Sequence, residues 1–474
     1  MEKEFIEVKN ERYRLGYHIM ASNGWINDPN GFVYFNGYYH IFYQHHPYSE
    51  KWGPMHWGHA RSKDLVHWET LPIALTPGDV EDQDGCFSGS AIVKEDTLYL
   101  FYTGHHYYGD NDPDHFWQNQ NMAYSKDGIH FTKYEHNPVI GKEPADNTHH
   151  FRDPKVWEQN GVYYMILGSQ ENDGLGRVII YRSKDLLDWE YVGPMTKAKS
   201  LAEEGFMWEC PDFFELDGSS VLLLSPQGIE ARGKDYLNLF QTGYFVGTLN
   251  ESDMTYAHKE FKELDRGHDF YATQTTLAPD GRRLVFGWMD MWESEMPEQA
   301  DGWAGALTLP RELSLKDGHL YMKPVRELQA LRQETQCDTV QKIEAECELA
   351  HELKQHELII DFEKISLDTA WTLSFDTNVA QVMHLTYDPK NHELILRRTD
   401  NNEARYGTIQ EEKVFSCQVF IDTSSIEIFL NDGETVFTER YYSEAPLACR
   451  LTVDQPTTIA HTVYALDSKA ITYI

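Results

Sequence analysis

Basic residues are the scarce charged class in this 474-residue chain: 41 Lys and Arg stand against 76 Asp and Glu, a formal net charge of −35. That balance argues against nucleic acid, whose phosphates demand a basic face, and against an anionic membrane surface. Apolar runs are also short. None approaches the roughly 18 residues of a membrane span. The six cysteines (Cys86, Cys210, Cys337, Cys347, Cys417 and Cys449) form no CxxC pair and no compact framework. The start, Met1 to Glu7, is charged and lacks the apolar centre of a signal peptide. A cytoplasmic, reduced protein is the expectation. Long amphipathic helical patterns are missing as well, which leaves a β-rich chain too long for one ordinary core.

Aromatics are abundant instead, and eleven of the twelve tryptophans lie between Trp25 and Trp303. Packing in strands accounts for such an excess, and so does a sugar-binding cleft. The same stretch is repetitive. Three acidic motifs, Trp25-Ile26-Asn27-Asp28-Pro29-Asn30-Gly31, Phe151-Arg152-Asp153-Pro154 and Trp208-Glu209-Cys210-Pro211-Asp212, are each followed by a glycine turn (Gly37, Gly161, Gly218) and a strand-like apolar run. Further copies begin at Cys86-Phe87-Ser88-Gly89 and Tyr271-Ala272-Thr273. Taking Asp28, Ser88, Asp153, Glu209 and Ala272 as equivalent gives spacings of 60, 65, 56 and 63. A second phrase, Ser62-Lys63-Asp64, Ser125-Lys126-Asp127 and Ser183-Lys184-Asp185, recurs with the same period and reads as a turn.

Units of about 60 residues with several short strands each predict a five-bladed β-propeller over residues 1–325. A β-solenoid is the structural alternative, although its repeats are usually shorter. Residues 326–340 read as a polar, helix-compatible linker. Residues 341–474 then alternate as strands, with a hairpin around Asn431-Asp432-Gly433, and predict a β-sandwich. The fold class is therefore all-β. In a propeller the first strand of each blade lines the axis, so the three acids should ring one end of a central funnel.

Converging carboxylates are unfavourable unless chemistry uses them. Glycoside hydrolysis needs a proton donor for the leaving oxygen and a second carboxylate that attacks or activates water. Glu209, the longest of the three acids and placed between Trp208 and Cys210, is the expected donor, kept protonated by apolar surroundings and ionised neighbours. Asp28, in what reads as a rigid Asn-Asp-Pro-Asn-Gly turn, suits a nucleophile. Asp153 is the third acid, placed to hold sugar hydroxyls. Asp212 is expected in a turn. The pairs His45-His46, His105-His106 and His149-His150 are poor chelates, because adjacent strand residues face opposite ways. No metal or other cofactor is expected, and the expected partner is a small sugar.

These motifs together resemble glycoside hydrolase family 32, and the likeness continues through Asp269-Phe270-Tyr271-Ala272, Trp303-Ala304-Gly305 and Ile421-Asp422-Thr423. The resemblance implies a five-bladed propeller joined to a β-sandwich and a retaining mechanism on β-fructofuranosides such as sucrose, sucrose-6-phosphate or short fructo-oligosaccharides. It implies Asp28 as nucleophile, Glu209 as acid and base, and Asp153 as transition-state stabiliser beside Arg152. It also implies that Trp25, Asn27, Gln44, Trp52, Phe87, Ser88 and Trp288 line the fructose pocket. An inverting arabinanase or xylosidase of similar architecture and a non-catalytic sugar-binding propeller are the competing readings.

Overall fold

The computed structural model describes residues 4–362, 368–409 and 416–473; residues 1–3 of the charged start lie outside them. Five antiparallel sheets come first in the chain. Blade 1 holds Gly24–Phe35, Tyr38–His46, His56–Ser62 and Trp68–Leu75, and blade 2 holds Gly85–Lys94, Thr97–Tyr107, Phe116–Ser125 and Thr132–Lys133. Blade 3 runs through Asn147–Gln159, Val162–Glu171, Gly176–Ser183 and Glu190–Lys197. Blade 4 has Met207–Leu216, Ser219–Gln227, Gly243–Asn250 and Thr255–His258, with Lys262–Glu263 added beside its third strand. Blade 5 is Tyr271–Leu277, Arg283–Trp288, Arg311–Lys316 and His319–Pro324. Trp303–Ala304 pairs in parallel with the first strand of blade 1 and so ties the ends of the ring.

Local chemistry explains the blades. The tight turns after the first strands need a positive φ, which Gly37 (+82°), Gly161 (+78°) and Gly218 (+81°) supply without a Cβ clash. The recurrent Ser-Lys-Asp phrase builds the same turn three times. Asp64 accepts from the amides of Val66 and His67, Asp127 from Ile129 and His130, and Asp185 from Leu187 and Asp188. Blades then seal against one another through their apolar faces. Val33, Phe42 and Trp57 of blade 1 meet Leu98, Leu100 and Tyr102 of blade 2, and Ile166 and Val178 of blade 3 meet Leu222 and Phe245 of blade 4.

Two six-stranded sheets follow. One runs from Arg332–Ile343 through Thr457–Leu466, His356–Asp361, Ser416–Asp422 and Ser425–Leu430 to Thr435–Arg440. The other runs from Glu346–Leu353 through Leu447–Val453 to Ala404–Thr408. They enclose a core that includes Trp371, Leu385, Leu396, Val419 and Ile428, as a sandwich requires. The segment 326–340 is not a free linker: Arg326–Leu331 forms a 3-10 helix, and Arg332–Ile343 is already an edge strand paired to Thr457–Leu466. Residues 333–336 of that strand are all polar and exposed, so no apolar periodicity marks a strand there and the composition suits an exposed helix equally. The last strand, Ile471–Thr472, returns to the propeller and pairs in parallel with Trp68–Leu75.

Candidate active site

Each innermost strand carries a β-bulge at the same place. Pairing jumps by one residue between Ile26 and Pro29, between Phe87 and Gly89, between Arg152 and Lys155, between Glu209 and Asp212, and between Tyr271 and Thr273. A bulge re-aims the side chains around it. The residues at the bulge are Asp28, Ser88, Asp153, Cys210 and Ala272, and the last three of the ring have left-handed φ where they are Asp153 (+66°), Cys210 (+49°) and Ala272 (+48°). The phase expected from sequence thus needs one correction: in blade 4 the bulge residue is Cys210, so the last two spacings are 57 and 62. Glu209 falls in step with Asn27, Phe87, Arg152 and Tyr271.

The funnel is therefore lined by stacked rings. In the bulge ring, Ser88 Oγ donates to Asp28 Oδ2 at 2.6 Å and Asn27 Nδ2 donates to Oδ1 at 3.1 Å. The Cys210 thiol lies 3.5 Å from Asp28 Oδ2 and 3.7 Å from Asp153 Oδ2, and the Cys210 amide donates to Asp153 Oδ2 at 2.9 Å. In the ring beside it, Arg152 grips Glu209 Oε1 through Nε at 2.9 Å and Nη2 at 2.8 Å. Gln227 Nε2 and the Tyr271 hydroxyl donate to Oε2 at 3.0 and 2.5 Å. Two residues further along each strand from the bulge, Asn30, Ser90, Lys155, Asp212 and Gln274 form a buried polar floor. There Lys155 Nζ reaches Asp212 at 2.9 Å and Gln274 at 2.8 Å.

Electrostatics separate the acids. Burial, and after it the neighbouring Glu209, pushes the Asp28 carboxyl above its ordinary range. Asp153 is pushed up to about 7 by burial and then by Glu209, with Arg152 opposing. Glu209 sits otherwise than expected. The Trp208 ring turns away into the core between blades 3 and 4, and four donated hydrogen bonds surround the Glu209 carboxyl in place of apolar walls. Two further expectations change. Asp28 lies within the bulged strand Gly24–Phe35, not in a turn, and Asp212 is a buried strand residue of the floor.

The other expected site residues fall around these rings. Trp25 Nε1 donates to Asn27 Oδ1 at 2.8 Å, and Gln44 Nε2 donates to the Cys86 carbonyl at 3.0 Å. Phe87 stacks on His105 with centroids 4.1 Å apart, and Trp52, 39 % exposed, stands edge-on to Phe87 at the mouth. Trp288 is fully buried, packed behind Trp25 and Tyr271. The histidine pairs serve local hydrogen bonds and stacking: His45 Nδ1 meets the Trp25 carbonyl, His46 Nδ1 the Lys51 carbonyl, and His106 stacks on Trp117. Among the described residues no group of three His, Cys, Asp or Glu side chains is placed to hold a metal ion. Sequence reasoning missed Tyr271 and Gln227 as partners of Glu209. Tyr271 had a signal, since it shares a repeat position with Phe87. Gln227 had none, because it arrives through strand pairing opposite Met207.

Comparison with known proteins bears on the whole chain. The family models for the N-terminal and C-terminal domains of glycosyl hydrolases family 32 match residues 18–324 and 327–464. A sucrose-6-phosphate hydrolase of Zymomonas mobilis is 44 % identical over 434 residues, covering 89 % of this chain and 84 % of the relative. One from Escherichia coli is 42 % identical over 443 residues, covering 92 % and 91 %. Among solved structures, a Bombyx mori family 32 β-fructofuranosidase superposes with a TM-score of 0.89 at 39 % identity, covering 98 % of this chain and 95 % of its own. A mutant of that insect protein has been solved in complex with sucrose.

Proposed function

The chain belongs to glycosyl hydrolase family 32, and from that premise we propose a retaining β-fructofuranosidase that releases fructose from sucrose or sucrose-6-phosphate. Short fructo-oligosaccharides fit the same reading. The observation that carries it is the pairing of Asp28 and Glu209 on neighbouring rings, each carboxyl held in place by donated hydrogen bonds. Asp28 attacks the anomeric carbon of the fructosyl unit while Glu209 gives a proton to the departing oxygen. The bond between that carbon and the leaving sugar breaks as the bond to Asp28 Oδ forms. Glu209 then takes a proton from water, which attacks the fructosyl-enzyme and frees Asp28.

Asp153, joined to Asp28 through Cys210, faces the ring hydroxyls and meets the charge that develops in the oxocarbenium-like transition state. Ser88 and Asn27 fix the nucleophile, so little reorganisation precedes attack. Trp25, Gln44, Trp52 and Phe87 shape the walls, and Trp288 backs Trp25 from behind. The six cysteines are unpaired, which suits a cytoplasmic setting. Proton NMR of the purified protein with sucrose, and separately with sucrose-6-phosphate, tests the reading. Early accumulation of the β-anomer of fructose is expected; α-anomer first, or no release from either sugar, refutes it.

A further inference from the structure

We propose that His150 selects the leaving sugar by donating a hydrogen bond from Nε2 to one of its hydroxyls, an inference that rests on the fructofuranosidase reading. The pairing of the strand Asn147–Gln159 is irregular between Asn147 and Phe151, and there the His150 ring turns to the Arg152 guanidinium, 2.9 Å from its Nη1. It precedes Arg152 by two residues, towards the strand start. By count along the chain Trp25 is its counterpart in blade 1, two residues before Asn27. The departing oxygen must sit at Glu209 to receive its proton, and Arg152 grips Glu209. A leaving sugar extending outward from that oxygen passes the level of His150 and Trp25. Trp25 offers an apolar face, whereas His150 offers a directional polar group.

The proton on His150 is assigned by its neighbour. Arg152 Nη1 donates to His150 Nδ1 at 2.9 Å, and a guanidinium has no acceptor to offer in return. Nδ1 therefore carries the lone pair, and the neutral ring bears its hydrogen on Nε2. Burial, then the charge of Arg152, keeps the ring from taking a second proton by holding it far below the ordinary imidazole range. The orientation is locked as well. Asn147 Nδ2 donates to the His150 carbonyl at 2.8 Å, and Phe116 stands edge-on to the ring at 5.5 Å. The result is a fixed neutral donor on a half-buried side chain at the mouth side of Glu209.

The test compares sucrose with methyl β-D-fructofuranoside, whose methanol leaving group has no sugar hydroxyls. In His150→Ala, kcat/KM for sucrose should fall about tenfold more than for the methyl glycoside, the loss of one neutral hydrogen bond, and it should appear in KM. His150→Phe keeps the ring packing without the donor and should behave the same, so a poorly folded alanine variant leaves the proposal testable. His150→Gln, which can accept from Arg152 and still donate outward, should recover most of the sucrose activity. Equal losses on both substrates, or no loss on sucrose, overturn the proposal. Failure of the unmodified protein to cleave either substrate would instead defeat the fructofuranosidase reading on which it stands.

Discussion

Buried carboxylates in the funnel and those around His18, where the propeller meets the sandwich, are stabilised in opposite ways. At the interface Glu427 accepts from Arg311 Nη2 at 2.6 Å, from the Leu309 amide at 2.9 Å and faces His18 Nε2 at 2.8 Å. Asp422 faces His18 Nδ1 at 2.8 Å and accepts from the amides of Gly16 and Tyr17. Burial pushes Glu427 up, but Arg311 and His18 outweigh it and pull the group down to about 2; Asp422 is lowered in the same manner by His18. In the funnel, burial wins for Asp28 and Asp153, and both are raised. The cation at hand, Arg152, is committed to Glu209. Around His18 the paired cations make Asp422 and Glu427 anchors of the fold. Asp28 and Asp153, left short of cations, keep the reactivity that the proposed nucleophile and stabiliser need, whereas the proposed acid Glu209 is held by Arg152.

The sharpest way to break this contrast is to delete one acid from each cluster. Asp28→Ala should lower kcat on sucrose by about 10³-fold or more, since the fructosyl-enzyme cannot form. Its thermal midpoint should hold or rise, because a buried and poorly compensated charge has gone. Near-wild-type turnover would erase the distinction between the clusters. Glu427→Ala should do the reverse. It strands Arg311 and His18 and should destabilise the protein by about 3–5 kcal/mol in urea titration, while activity per folded molecule stays near wild type.

The interface also predicts a pH window. Asp422 and Glu427 are lowered from ordinary values of 3.8 and 4.5, so their contribution is complete above those values and is lost as pH falls. His18 is raised from 6.5: burial lowers it, but Asp422 and Glu427 prevail. Its contribution is complete below 6.5 and is lost as pH rises through the higher folded value. The urea midpoint of the wild type should therefore drop on acidification below about pH 4, and Glu427→Ala should lose less across the same range. Equal slopes would show that these pairs carry no such share of the stability.

The funnel side of this contrast was largely legible in the sequence. Glycine turns and alternating runs gave the blades, and the repeat period brought Asp28, Ser88, Asp153 and Ala272 into one ring. What the period could not give was the bulge. Whether Glu209 or Cys210 takes the left-handed position depends on how Met207–Leu216 pairs with Ser219–Gln227, and pairing is not written in either strand alone. The surroundings of Glu209 were misjudged for the same reason: alternation sends Trp208 into the core while Arg152 and Tyr271 arrive from neighbouring blades. The interface cluster gave no local signal, since Glu427 lies 409 residues from His18 and 116 from Arg311. Acids that recur in phase are visible as a pattern. Acids neutralised by distant cations are not.

The smallest effect tests the contrast at its weakest point, Asp153, which has Arg152 beside it yet is pushed up to about 7 by burial and by Glu209. Its folded value lies above the ordinary 3.8, so the fold favours its protonated form: the associated stability is complete below 3.8 and is lost as pH rises through about 7. Asp153→Asn mimics the neutral form at every pH. At pH 8 it should melt higher than wild type by about 2–4 °C, and the gain should vanish near pH 4, with sucrose turnover reduced throughout. A gain that persisted at low pH would mean the amide simply makes better hydrogen bonds to the Cys210 backbone. No gain at pH 8 would mean that Arg152 compensates Asp153 after all, and Asp153 would then belong with Glu427 among the anchored acids. A gain confined to high pH, joined to lost activity, would show that the funnel keeps this charge at the expense of stability because turnover depends on it.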